Sequence, residues 1–368
     1  MHVPHAPEFS LDVVRWLAWT TLALVLMTVL GLLLLRWLRW RSEPHKAAFR
    51  QRWSEVLMRC AQGEGLEGEL PHLKSKERWA FMKLWLHCQL SIKGSSRDRL
   101  AALARAMDCQ SMAMRKLASR HAAERLMAIL ALGFLKDQQA QPVLVEQLQQ
   151  GEQQAAVHAA RALLEIDAFA HAAQVVQRLL VLANLDFSLV SVLLKPYRGT
   201  LDKTMMDLMP SPELVQKPSS EAPAPASASA SALQWLRLAR AMSLQVPGER
   251  LDAFFSRTDD VDVLIAAARL MQGEQGTQAL IVHAQHKDWR VRAQVAQALG
   301  RIGRLTDVEL LARMTTDAQW WVRYRATQAL LSMPGLSVQK VQTWIEGTGD
   351  RYAIDMLHSV ISEREAFA

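Results

Sequence analysis

The sequence predicts an all-α protein: a single N-terminal transmembrane helix followed by an α-solenoid of helical hairpins. Two observations carry that prediction. One uninterrupted apolar run, Trp16 to Leu35, lies near the N-terminus, and a helical pattern with a period of 31 residues recurs in the chain after it. Composition agrees, because half of the 368 residues are hydrophobic and Ala and Leu, both strong helix formers, dominate.

The apolar run WLAWTTLALVLMTVLGLLLL contains no charge. About 20 residues at about 1.5 Å each reach about 30 Å, the thickness of a hydrocarbon core. Arg15 and Arg36 bound it, and Trp16, Trp19, Trp37 and Trp40 stand at its ends as interfacial aromatics. A cleaved signal peptide fits poorly, because the strong charge follows the run instead of preceding it. Arg36, Arg39, Arg41, Lys46, Arg50 and Arg52 come after it, opposed only by Glu43, whereas Arg15 before it is offset by Glu8 and Asp12. The positive-inside rule then puts the N-terminus outside and the C-terminal solenoid in the cytoplasm, as a single-pass protein of a bacterial inner membrane. The basic flank, with Arg36, Arg39 and Arg41 nearest the run, also suits anionic headgroups.

Net charge is +7, and much of the excess lies beside this run, so topology explains it better than nucleic acid does. Cys60, Cys88 and Cys109 are far apart and form no CxxC pair, which argues against a disulfide framework or a zinc site.

Four segments superpose: ERLMAILALGFL (124–135), QAAVHAARALLEI (154–166), VRAQVAQALGRIG (291–303) and VRYRATQALLSM (322–333). Each carries apolar residues three and four apart and an Ala-Leu step. The Ala residues of those steps, Ala131 with Ala162 and Ala298 with Ala329, are 31 residues apart within each pair. Lighter helices lie between, at 142–150, 172–183, 306–314 and 337–345, with Gly151, Gly303 and Pro334-Gly335 as breakers. Each repeat is thus a helix A, a tight turn and a helix B. Stacking, not the single repeat, supplies the core.

The stretches DWRVR (288–292) and DAQWWVR (317–323) resemble the HEAT-repeat family, in which an Asp in the turn and a Val-Arg pair opening helix B recur. The pitch is similar to the short bacterial type also found in phycobiliprotein lyases. The likeness is good over 281–333, moderate over 122–183, and weak at 184–208 and 233–260, where the Asp and the Val-Arg pair are missing. By this resemblance Arg292 and Arg323 bridge to turn carboxylates such as Asp288 and Asp317, a structural ladder along the stack. Residues 77–94, 98–108 and 124–137 also resemble the N-terminal part of membrane-anchored bacterial HEAT proteins. That group accompanies membrane glycosyltransferases of polysaccharide synthesis, which implies a partner of that kind.

The chain is expected to divide into 1–12, a short extracytoplasmic N-terminus; 13–38, the transmembrane helix and its basic flank; 39–120, a membrane-proximal helical region; 121–208, a first HEAT-like block; 209–232, a Pro/Ala/Ser-rich disordered linker; and 233–368, a second block. The linker either interrupts one continuous superhelix or joins two bodies. The amphipathic ALQWLRLARAMSL (232–244) supplies a helix for the first arrangement.

No GxGxxG after a strand, Walker A, HExxH or GxSxG motif occurs, so no enzyme activity and no cofactor are expected. His283 and His286 are three apart without an evident third ligand, and read as a surface pair. Asp259, Asp260 and Asp262, before an apolar helix, read as caps and dipole partners. Trp289, Trp320 and Trp321 stand among Arg290, Arg292, Arg323 and Arg325. A Trp opening helix B either packs the core between repeats or marks a protein interface, for which Trp320, Trp321, Arg290 and Arg325 are the candidates. Being adjacent, the two tryptophans do not share a direction. The expected function is a membrane-tethered, non-enzymatic scaffold whose solenoid binds a membrane protein. The alternatives are a short-HEAT-type lyase or small-ligand-binding protein, and nucleic-acid binding, which requires a continuous basic stripe.

Overall fold

A computed structural model describes residues 11–64, 70–210, 226–273, 275 and 277–366; for residues 11–15, 18, 34, 35, 37–46 and 226–228 it describes the backbone alone. All the regular structure among the described residues is helical. The chain forms two compact units, residues 1–115 and 116–368.

In the first unit, α1 (Leu11–Gln62) runs unbroken through the expected boundary between anchor and membrane-proximal region. It is followed by α2 (Arg78–Ser91), α3 (Ser95–Ala106) and α4 (Cys109–Leu117). The end of α1 is buried: Trp53 and Leu57 pack with Phe81, Trp85 and Leu100. The ring centroids of Trp53 and Phe81 are 4.7 Å apart, edge to face, and Trp85 Nε1 donates to the Leu100 carbonyl at 2.9 Å. The orphan carbonyls at the end of α1 find donors on α3. Ser96 Oγ reaches Ala61 O at 2.7 Å, and Arg99 reaches Cys60 O at 3.2 Å and Ala61 O at 2.5 Å.

The start of α1 is different. Its large apolar side chains project outward, from 71% exposure at Trp16 to 48% at Val29. Among the described residues no helix is long and apolar enough to cross a membrane, so the expected transmembrane helix is not shown. Within the apolar run, the longest unbroken stretch of described side chains is 19–33, and the expected anchors Trp37, Arg39, Trp40 and Arg41 lie outside the described side chains. Trp16, Trp19 and Arg36 are exposed.

The second unit is a two-layer α-solenoid. Its inner row comprises α5 (Ala122–Phe134), α7 (Gln153–Ile166), α9 (Phe187–Leu194), α11 (Ala226–Ala241), α13 (Val261–Leu270), α15 (Trp289–Ile302), α17 (Trp320–Ser332) and α19 (Arg351–Ala366), each packed on the next. The other layer comprises α6 (Gln141–Gln150), α8 (Ala168–Val181), α10 (Arg198–Asp207), α12 (Gly248–Arg257), α14 (Thr277–Val282), α16 (Val308–Met314) and α18 (Val338–Glu346). Aspartates start many of the inner helices: Asp186 accepts from Ser188 N and Leu189 N, Asp260 from Asp262 N and Val263 N, and Asp350 from Tyr352 N and Ala353 N. Gly303, at φ 74°, closes α15 in the left-handed conformation that lets its N–H return to Leu299 O.

The row continues across the Pro/Ala/Ser-rich segment, because α9 packs on α11. Gln234 Nε2 donates to Leu179 O and Leu182 O, and Trp235 Nε1 to Met205 O at 2.9 Å. The segment therefore interrupts a hairpin, between α10 and α11, instead of separating two stacks. Its expected end at 232 is corrected as well. Residues 211–225 lie outside the described residues, but from Ala226 the chain is helical and Ala232 is fully buried.

Candidate functional site

The turns before α15 and α17 place the charged residues singled out in the sequence. Asp288 caps α15 through Arg290 N at 2.8 Å, and the same carboxylate takes Arg290 Nε and Nη2 at 3.1 and 2.7 Å. Those side-chain hydrogen bonds hold the Asp288 carboxyl at about 2, below the usual carboxylate range. Arg292 passes over its own turn carboxylate to the next one. Its Nε and Nη2 meet Asp317 at 2.7 and 2.9 Å in a bidentate pair, while its Nη1 donates to His286 O at 2.8 Å. Burial opposes ionisation of Asp317, but the hydrogen bonds from Arg292 and Gln319 N, with the charges of Arg292 and Arg323, hold its pKa below the ordinary value.

The expected ladder thus has one rung between repeats, Arg292 to Asp317. Arg323 does not make a second. It donates to Asp317 O at 2.8 Å and Ala318 O at 3.1 Å, and its guanidinium lies over the Tyr352 ring at 5.4 Å.

The aromatic residues are not core at this point. Trp320 and Trp321 are 48% and 49% exposed, so the core-packing alternative fails for both. Their rings stand 4.7 Å apart at 89°, and Trp320 stacks on Tyr324 at 5.1 Å and 10°. Adjacent residues leave a helix in different directions, so the cluster spreads over the beginning of α17. Tyr324 Oη donates to Glu363 at 2.8 Å, which fixes the ring under Trp320. Trp289 is half-buried.

Trp289, Arg290, Trp321 and Arg325 open onto a groove along the inner row. One depression of about 510 Å³ is lined by these four together with Arg240, Arg269, Gln294 and Arg301. A second, of about 560 Å³, shares Gln297, Arg301 and Arg325 and adds Gln328 and Arg364. Gln294 and Arg325 stand one 31-residue period apart, as do Gln297 and Gln328. Burial, then the charges of Arg240, Arg237 and Arg325, lower the pKa of Arg269; burial, then Arg240 and Arg269, lower that of Arg301. Arginine stays protonated through such shifts, so the groove holds mutually repelling cations. Sequence reasoning found Arg290 and Arg325 and missed Arg240, Arg269, Arg301 and Arg364. The register that carries Arg325 back to Gln294 marks the face of the groove but not these four arginines.

His283 Nε2 pairs with Phe255 O at 2.8 Å and His286 Nδ1 accepts from Asp288 N at 3.0 Å, which occupies both as structural groups. Among the described residues no group of three or more His, Cys, Asp or Glu is placed to hold a metal ion.

No curated protein matches the chain. Residues 250–331, from α12 into α17, match the family model for HEAT repeats; this part of the solenoid, which carries both the Arg292–Asp317 rung and the exposed tryptophans, is similar to HEAT repeats.

Proposed function

We propose that the protein is a membrane-tethered, non-enzymatic scaffold whose HEAT array binds a partner protein at the cytoplasmic face of a bacterial inner membrane. The observation that carries the binding part is the exposed Trp320–Trp321–Tyr324 cluster. Tryptophan and tyrosine are enriched at binding hot spots, and two half-exposed indoles in contact lose apolar area to water until a partner covers them. Arg290 and Arg325 flank the cluster with the planar donors such interfaces use.

Tethering rests on α1. Leu22, Leu24, Val25, Leu26, Met27, Leu30, Leu32 and Leu33 all exceed 50% exposure and occupy every side of the helix. A helix apolar all round finds its low-energy solvent in lipid, where each such side chain is worth about 1.5–3 kcal/mol relative to water. Charge after the run orients it, and confinement to the membrane raises the local concentration of the array near other membrane proteins. The resemblance of residues 77–94, 98–108 and 124–137 to membrane-anchored HEAT proteins supports a membrane glycosyltransferase of polysaccharide synthesis as the partner class.

The test is a photocrosslinking amino acid at position 321 of the full chain in its own membranes, read by mass spectrometry. One crosslinked membrane enzyme is expected. A pattern no more selective than that from a position on α18 overturns the interface. Deleting residues 1–40 is expected to release the protein from membranes; retention of the truncated chain on salt-washed membranes overturns the tether.

A further inference from the structure

We propose that the arginine-lined groove across α11, α13, α15, α17 and α19 binds an extended, Asp/Glu-rich peptide segment of a partner protein. This deepens the scaffold reading and rests on it. Among the described residues, none of Arg240, Arg269, Arg301, Arg325 and Arg364 has a carboxylate within ion-pair distance. Neutral groups hold Arg269, Arg301, Arg325 and Arg364 instead. Arg269 Nε donates to Gln294 Oε1 at 2.7 Å, and Gln294 in turn bonds Gln297. Arg325 Nη1 donates to Gln328 Oε1 at 3.1 Å, and Gln328 Nε2 donates to Tyr324 Oη at 2.7 Å. Arg301 and Arg364 donate to the carbonyls of Ala268 and Leu331 at 2.7 and 2.6 Å. Amides and carbonyls orient a guanidinium without neutralising it. The groove is therefore built to keep positive charge in fixed directions, and an incoming carboxylate supplies the counter-charge these mutually repelling guanidiniums lack.

Spacing and confinement identify the occupant. Neighbouring helices of a packed row stand about 8–10 Å apart. A peptide in the extended polyproline II form advances about 3.1 Å per residue with three residues per turn, so every third side chain returns to the same face about 9 Å on, at the next helix and its arginine. Acidic groups also limit the positive field at its edges. Asp288 sits on Arg290, Asp262 is close enough to act on Arg290, and Glu363 holds Tyr324. A short acidic segment stays inside those limits, whereas a long polyphosphate runs past them.

The experiment is fluorescence anisotropy on the full chain in detergent, with a labelled Glu-Ser-Gly repeat peptide as probe. A Lys-Ser-Gly repeat and an oligo-dT carrying the same number of charges serve as comparisons. The acidic peptide is expected to bind, to weaken with salt, and to be bound more tightly than either comparison. Arg301→Gln with Arg325→Gln is expected to weaken it on the order of tenfold. Arg240→Gln is read alongside, because that side chain is exposed and ties no backbone group, so its loss leaves folding intact; it is expected to weaken binding severalfold. Arg313→Gln, on α16 and paired with Glu309, is expected to change nothing. No binding of the acidic peptide, or binding indifferent to Arg240→Gln, overturns the proposal. Tighter binding of oligo-dT with the same dependence on these arginines gives the groove to nucleic acid and also overturns it. The crosslink at position 321 is read separately, so failure here does not remove the scaffold reading.

Discussion

Gly300 of α15 lies against Ala329 of α17 so closely that a Cβ added to it would stand 2.5 Å from the Ala329 Cβ and 2.8 Å from its Cα. Gly133 of α5 meets Ala162 of α7 in the same way, at 2.8 Å from the Cβ and 2.6 Å from the Cα. Both alanines belong to the Ala-Leu step that marks the repeat. The missing side chain lets two inner helices touch nearly backbone to backbone. Gly300→Ala gains about 0.5–1 kcal/mol of helix propensity but drives a methyl into atoms that cannot rotate away, at about 1–3 kcal/mol. The variant is expected to melt several degrees lower. Gly199→Ala, in α10 with nothing within 4 Å of the new Cβ, is expected to melt at or above the parent temperature. Thermal scans of the two variants side by side decide it, and equal melting of both refutes the close crossing.

Asp317 ties two repeats together through Arg292, with the side chains 14% and 16% exposed. Its folded pKa is held below the ordinary value, so the stability it contributes is present above the unfolded carboxylate range and is lost as pH falls through the folded value. Asp288, held at about 2, acts in the same direction. Asp317→Asn is expected to cost about 1.5–3 kcal/mol at neutral pH, the worth of hydrogen bonds to a charged group. It is also expected to flatten the loss of stability as pH falls below the ordinary carboxylate range. Urea titrations at pH 7 and pH 3 check both. An unchanged acid slope in the variant means that Asp317 is not the group being protonated.

Much of this stack was legible because its inner helices obey one steric rule. Ala162 follows Ala131, and Ala329 follows Ala298, by one 31-residue period; at Ala162 and Ala329 a neighbouring helix comes close, and Leu163 and Leu330 beside them fill the shared core. The middle was harder to read. α9 to α12 lack the Val-Arg pair, although Asp186 caps α9 as a turn Asp missed in the sequence, and the Pro/Ala/Ser-rich insertion separates the two helices of one hairpin, so the period is broken where the packing is not. The Ser-Ala alternation before residue 232 resembles linker in composition, yet Ala is the best helix former, and burial of Ala232 and Trp235 draws the segment into the row. The groove was hidden for another reason. Gln294 and Arg325 share a register, as do Gln297 and Gln328, but Arg240, Arg269 and Arg301 enter from other positions of their repeats. Only packing brings them to one side.

Trp320→Ala combined with Trp321→Ala separates surface function from folding. Both rings are about half exposed and the stacking partner Tyr324 remains held by Glu363, so the lost contacts are worth about 0.5–1.5 kcal/mol of stability. At a hot spot, the same truncation costs about 2 kcal/mol or more of binding. The pair is expected to melt near the parent and to lose affinity for the crosslinked partner by on the order of tenfold or more, read by titration in detergent. Parent-like affinity removes the cluster from the interface.

The three thiols of the first unit report on its packing. Burial, with the charge of Asp108 adding and that of Arg78 subtracting, pushes the Cys109 thiol up to about 12. Burial also raises Cys60, against the pull of Arg99, and Cys88. The thiolate is the reactive species, so at neutral pH Cys109 alkylates more than about a thousandfold slower than a free thiol near 8.5. Cys88 is half-buried, whereas Cys60 and Cys109 are buried, so the expected order with iodoacetamide is Cys88, then Cys60, then Cys109. In urea all three are expected to label alike. Peptide mass spectrometry over a time course gives each rate. Cys109 labelling as fast as Cys88 in the native protein requires α4 to open as often as the reagent arrives, a local stability too low for a helix that buries Cys109, Met112 and Ala113.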